Sequence, residues 1–331
     1  MINRQDLQNM VATQQPNKEI LGFLVWYSIS EMFVQKDELS QRLSAAGITQ
    51  GFMPKSICGA DAFRKASSVV EAKNIPVKKD VSRNILVREV SRDKDHIQRN
   101  IVFEFVKKAQ KKLSYKSEEA IVEFDKINNL INVSQCSSDS EPVVNQIKNN
   151  FQLFYNNYDS RAIRTMCTKY LWSLNPVSVR PSGSIYFVPF QYEEDLKKLL
   201  DFLKGFDKTT TEGHMVPLID SQEQRDMVKA KIQEYLQNTL QSMSEHLRNP
   251  YIDKGNANVL LDSAKFTLAN FRDYKVALSD ELSEMDFTLE LIQKQMISLI
   301  EKLNKQDGMS PTAKARAKVN AEKFKAQDIA I

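Results

Sequence analysis

The stretch Asn175–Pro189, NPVSVRPSGSIYFVP, restricts what this chain can fold into more tightly than any other. Val177 and Val179 alternate with Ser178 and Arg180. Pro181-Ser182-Gly183-Ser184 supplies turn residues, and Ile185-Tyr186-Phe187-Val188 resumes β-branched and aromatic chemistry before Pro189 stops it. That order predicts strand, tight turn, strand. Helical periodicity lies on both sides, so the chain must combine the two kinds of element.

A second β signal fills Arg83–Asp125. Ile85, Val87 and Val90, then Ile101, Phe103 and Phe105, belong to runs of period two, with Arg92-Asp93-Lys94-Asp95 as a polar turn between them. Leu113 and Tyr115, then Ile121, Val122 and Phe124, predict one or two further strands. The region reads as an antiparallel meander with one apolar face. The opposite face is expected to carry Arg83, Arg88, Arg92, Arg99, Lys107 and Lys111.

From Lys73 to Lys116, thirteen Lys or Arg stand against five Asp or Glu, although the whole chain carries only +4. Such a local surplus suits phosphate contacts that read no sequence. Phe103, Phe105 and Tyr115 add rings of the kind on which bases stack, although the alternation assigns Phe103 and Phe105 to the core. The bland alternative is a charged strand face that is simply solvated.

Around these β regions, Leu21–Ser30 reads as a buried strand, and Phe33–Ala46 as an amphipathic helix closed by Gly47. Ile57–Lys73, Phe151–Trp172 and Tyr192–Phe206 read as further helices, and Met215–Ile219 as a strand. Asp220 or Ser221 caps a helix over Gln222–Leu247, which Asn249-Pro250 breaks. Apolar residues then recur at helical spacing from Ala257 to Lys305, suggesting a helical hairpin or an oligomerisation arm.

The fold class is therefore α+β: an antiparallel meander and hairpin packed with helices, followed by long C-terminal helices. The expected division is 1–133, an N-terminal helical and β region; 134–220, the central helix and hairpin of the same body; 221–305, the long helices; and 306–331, a basic tail. Ser134–Pro142 is the polar connector at which a subdomain boundary is expected.

Arg180, Ser182, Gly183, Ser184 and Tyr186 form a second candidate cluster. Hydroxyls, a glycine amide and a guanidinium on one turn suit a phosphate or carboxylate. The plainer reading is a hairpin docked on a helix, its turn residues serving geometry alone.

Cys58, Cys136 and Cys167 are too scattered for a zinc or disulfide framework, and His96, His214 and His246 have no ligand spacing. No P-loop, dinucleotide turn or GxSxG elbow is present. Asp220 and Glu223 read as helix-start carboxylates, and Arg161, Arg164 and Tyr170 as an ordinary helix. No catalytic residue, metal or cofactor is expected. No apolar run approaches the roughly 20 residues that span a bilayer, and the first residues lack the apolar core of a leader. A cytoplasmic protein without membrane contact is the expectation.

Four blocks resemble a family of uncharacterised phage and mobile-element proteins: GADAFRKA at Gly59–Ala66, VREVSRDKDHIQRNIVFEF at Val87–Phe105, LSYKSEEAIVEFDK at Leu113–Lys126, and VSVRPSGSIYFVP at Val177–Pro189. The resemblance covers roughly Leu21–Asp220. It implies an accessory protein encoded by a phage or mobile element and supplies no chemistry. The function expected is non-enzymatic binding of a macromolecule, nucleic acid ahead of a host protein, with self-association through the C-terminal helices. The alternatives are a structural or inhibitory protein that grips a host protein through those helices, and an enzyme acting on a phosphorylated substrate near Arg180–Tyr186.

Overall fold

A computed structural model describes residues 20–107, 112–180, 184–206, 210–278 and 282–309. The basic tail from 310 lies outside them, as do Lys111, Ser182 and Gly183. The architecture is α+β, in two compact units: residues 29–169, and the described parts of 1–28 and 170–331.

The unit of residues 29–169 is built on a five-stranded antiparallel meander in sequence order. Its strands are β3 (Ala72–Lys78), β4 (Val81–Arg92), β5 (His96–Lys107), β6 (Lys112–Asp125) and β7 (Leu130–Cys136). Before them come β1 (Ile20–Ser28), which belongs to the other unit, and β2 (Phe33–Gln35), α1 (Lys36–Ala45) and α2 (Gly59–Val69). After them come α3 (Glu141–Asn156), β8 (Asn157–Asp159) and α4 (Ser160–Trp172), and β2 pairs with β8.

One face of the meander is covered by α2 and α3. Phe63 and Ala66 from α2, with Val144, Ile147 and Phe151 from α3, meet Ile85, Ile97, Ile101, Phe103, Val122 and Phe124. Phe63 and Phe124 stack at 5.2 Å between ring centroids, and both are fully buried. The turns use short polar residues at positive φ. Asp80 (64°) closes β3–β4, and Asn129 (53°) closes β6–β7, where side-chain polarity eases the left-handed conformation.

Several sequence expectations shift here. The helix expected over Ile57–Lys73 ends at Val69, and β3 follows. Asn74 takes φ 60°, and its N–H donates to the Asn84 side chain, which draws this segment onto β4. Phe33–Gln35 is strand rather than the start of α1. The expected helix over Phe151–Trp172 is interrupted by β8, where Val34 and Tyr158 pair. Ser134–Cys136 ends β7, and the whole of 134–142 lies inside the 29–169 unit.

The other unit holds a four-stranded antiparallel sheet in the order β11-β1-β10-β9. These strands are β9 (Val177–Ser178), β10 (Tyr186–Pro189) and β11 (Glu212–Ile219), with α5 (Glu193–Lys204) between β10 and β11. β1 and β10 approach closely at Gly22, where a Cβ would run into the Val188 carbonyl and the Phe187 ring.

Three helices complete this unit: α6 (Gln222–Arg248), α7 (Lys254–Ala277) and α8 (Asp286–Asp307). Ser221 caps α6 through the Gln224 N–H. The long pattern expected over Ala257–Lys305 is thus two helices. Leu278, Leu282 and Met285 stay buried through the reversal, so apolar recurrence continues where the helix does not, and Lys275 bridges to Asp286 at 2.8 Å. The apolar stripes meet within the chain. Ile232, Leu236 and Met243 share a core with Leu261, Phe271, Ile292 and Leu299. Lys302 donates to the carbonyls of Leu247 and Asn249, closing the C-terminal end of α6.

Candidate nucleic-acid interface on the meander

Strand register decides which cations share a face, because directly opposed residues of an antiparallel pair point the same way. Arg83 stands opposite Phe105, and Arg99 opposite Glu89 and Val122. Both are in phase with Ile85, Ile101 and Phe103, so both point to the helix-covered side. The six cations expected on one face are therefore not brought together there.

Arg83 lies with its guanidinium 4.3 Å above the Phe103 ring, a cation–π contact at the edge of the core. Arg99 reaches beneath α2. One guanidinium nitrogen donates to the Arg64 carbonyl (3.2 Å), Ser67 Oγ (2.9 Å) and Ser68 Oγ (3.1 Å), and the other to Glu89 (3.2 Å). Arg64 reaches the same carboxylate at 3.4 Å. Burial works against charge on Glu89, but the hydrogen bonds from Arg99 and Arg64 outweigh it and hold the carboxyl below its usual range.

Arg88 points to the face away from α2 and α3, opposite Asn100, and stays largely exposed with Glu71 3.9 Å away. Arg92 is exposed beyond a bulge between Glu89 and Ser91, at the end of the sheet away from the 78–80 turn. Lys107 ends β5 opposite Lys112.

A different cluster emerges at the opposite end of the sheet. The β3–β4 turn lies beside the ends of β5 and β6, since Lys78 pairs with Val81, Val81 with Lys107, and Lys107 with Lys112. In sequence, 77–81 (VKKDV) and 106–113 (VKKAQKKL) hold six lysines, of which Lys108 and Lys111 lie outside the described residues, against one acid, Asp80. Lys78 and Lys79 are exposed. The sequence signal was available: paired lysines flanking turns, whereas the arginines lie within the alternating strands.

Just inboard lies Tyr115, 57% exposed, with Leu113 beside it at 47%. Tyr115 and Asn84 both hydrogen-bond to Glu104, and these bonds hold that carboxyl below its usual range. The partnership also pushes the Tyr115 hydroxyl up. Phe103 is fully buried, and Phe105 packs against the core.

The 175–189 hairpin is formed, with Tyr186 opposite Ser178 and the Val179 N–H donating to the Ile185 carbonyl at 3.0 Å. Of the anion cluster, Arg180 and Ser184 are exposed, while Tyr186 meets the Trp172 ring edge-on at 6.4 Å. The polar chemistry near this hairpin centres instead on Asn175, at φ 54°. Its amide donates to Tyr192 Oη and to Asp273; Tyr192 donates to Asp273 at 2.6 Å, and Tyr274 donates to the Asn175 carbonyl. Burial and the Asp273 contact push the Tyr192 phenol up to about 12. This closed network pins β9 to α7.

A cleft of about 160 Å³ lies among α2, β2 and β8, between Phe33 and Phe154. Its Lys65–Asp159 pair (2.7 Å) is also structural, because Asp159 accepts the Ala162 N–H at the start of α4. Among the described residues no cluster of metal-ligating side chains occurs, and no helix is long and apolar enough to cross a membrane.

A family model described as a family of unknown function, DUF6744, matches residues 20–307. The match extends through α8, beyond Asp220, where the block resemblance ends. No curated protein and no solved structure matches the chain.

Proposed function

The chain belongs to DUF6744, a family of unknown function, and we propose that this member binds nucleic acid without enzymatic chemistry, through the end of its meander that carries Lys78 and Lys79. One observation carries the reading: exposed Lys78 and Lys79 stand at the end of the sheet where strand register also sets Lys107 and Lys112, next to the exposed Tyr115. Lysines on turns are strongly hydrated point charges that suit phosphate contact without base reading. The accessory role in a phage or mobile element, implied by the four sequence blocks, belongs to the same proposal.

The test is fluorescence anisotropy with labelled DNA and RNA across a salt series. Binding weakens steeply with salt, and Lys78→Ala/Lys79→Ala lowers the slope of log K against log salt by about 1.5, as expected for two lost phosphate contacts. No binding at low ionic strength, or an unchanged slope in the double variant, overturns the reading.

A further inference from the structure

We infer that this chain pairs with a second copy of itself through the outer face of α8, the two helices running antiparallel about a twofold axis level with Ile292. The inference stands apart from the nucleic-acid reading, because α8 shares no residue with the meander. The helix carries two stripes. Ile292, Leu299 and Leu303 are buried in the core that α8 shares with α6 and α7. On the opposite side Phe287, Glu290, Lys294, Ile297, Glu301 and Asn304 are all exposed, Phe287 by 67% and Ile297 by 59%. Their spacing alternates three and four residues, the repeat that keeps a seam of side chains facing a partner helix.

A second copy is the occupant because the stripe is its own complement. From Phe287 to Ile297 it reads apolar, acidic, basic, apolar, at steps of three, four and three. Turned end for end, that series keeps its spacing and exchanges its charges. An antiparallel copy therefore sets Phe287 opposite Ile297 and Glu290 opposite Lys294, each pairing occurring twice, as an isologous interface requires. Other registers lose this match. Centred on Lys294, the lysine meets itself and Phe287 meets Glu301. Centred between Ile297 and Ser298, opposite charges still meet, but Phe287 falls against Gly308 and Ile297 against Ser298. The two charges are also uncommitted. Glu290 stands four residues before Lys294, a spacing at which a helix pairs its own charges, yet among the described residues neither has an ion-pair partner. Asp286 and Asp307, at the ends of the same helix, are instead held by Lys275 and Lys254 of α7.

The experiment is sedimentation equilibrium of the full chain from about 1 to 300 μM. An overlap of about four helical turns is smaller than a standard interface, so the dimer forms with a dissociation constant on the order of tens of micromolar. Phe287→Ala raises that constant by at least about tenfold. Glu290→Lys and Lys294→Glu each raise it by roughly tenfold, since each sets like charges opposite one another twice. Mixing the two charge variants restores the parent's affinity, because a chain with two lysines at these positions then faces a chain with two glutamates. Repair within one helix cannot produce that rescue, so it isolates contact between copies. A monomer at every concentration overturns the inference, as does a dimer indifferent to Phe287→Ala. A mixture as weak as either charge variant alone also overturns it. The register centred between Ile297 and Ser298 gives that result, since there Glu290 faces Lys305 and Lys294 faces Glu301. Unchanged far-UV circular dichroism and urea midpoints show that the variants remain folded.

Discussion

On the helix-covered side of the meander, Arg83 lies over the Phe103 ring and Arg99 is committed to Arg64, Ser67, Ser68 and Glu89. At the turn end of the same sheet, Lys78 and Lys79 stand exposed, with Asp80 as the acid between the strands they join. The two groups have the same sign of charge and the same neighbourhood in sequence. Their difference shows that position in the strand period, rather than local charge density, decides whether a cation builds the fold or remains available to a partner. A guanidinium in phase with the apolar residues is drawn beneath a helix, where its planar fork can satisfy several acceptors at once. A lysine on a turn has no such alternative.

The covered side should therefore respond to substitution as a core does. Phe63→Ala, which removes a fully buried ring stacked on Phe124, costs about 3–5 kcal/mol. The measurement is the urea midpoint of the full chain. A loss below about 1 kcal/mol, typical of a surface site, would mean that α2 is not the lid of this sheet.

The same contrast explains what could be read before the fold was known. The meander was legible because Ile85, Val87, Ile101, Phe103 and Phe124 repeat with the period of a sheet covered on one side only. Its first strand was not, since AKNIPVK has a proline and a left-handed asparagine and continues the charge pattern of α2. Arg99 was misplaced although its parity with Ile97, Ile101 and Phe103 is plain in the sequence; charge outweighed phase. For the interface, the basic surplus was visible but its distribution was not. That distribution depends on the pairing of Val81 with Lys107 and of Lys107 with Lys112, long-range register that no local pattern specifies. The C-terminal break was hidden for another reason: Leu278, Leu282 and Met285 are buried within the reversal itself, so hydrophobic spacing never lapses.

Arg99 sharpens the comparison. Arg99→Ala removes the cation beside Glu89 and costs on the order of 2 kcal/mol, the scale of hydrogen bonds to a charged group. It also changes the pH dependence. Glu89 is held below its usual value in the fold, so its stabilisation is complete above the unfolded carboxylate range and is lost as pH falls through the folded value. In Arg99→Ala that acid-side loss flattens, because only Arg64 remains to hold the carboxylate. Urea midpoints measured from neutral pH into the acid range test both statements. A variant with the parent's full acid sensitivity would remove Arg99 from the role assigned to it.

Arg88 supplies the opposite control. It differs from Arg99 by eleven positions and by one face of the sheet. Its side chain is 61% exposed, with Glu71 3.9 Å away. A pair so open gains little, because water screens the attraction and the long side chain loses freedom in holding one geometry. Arg88→Ala is accordingly expected to change stability by less than about 0.5 kcal/mol, read from the same urea midpoints. If its cost matches that of Arg99→Ala, the two faces do not differ in how they use positive charge, and the argument for an available face loses its basis. If it is neutral as expected, Arg88 is a cation that the fold does not need, where Arg99 is one that it does.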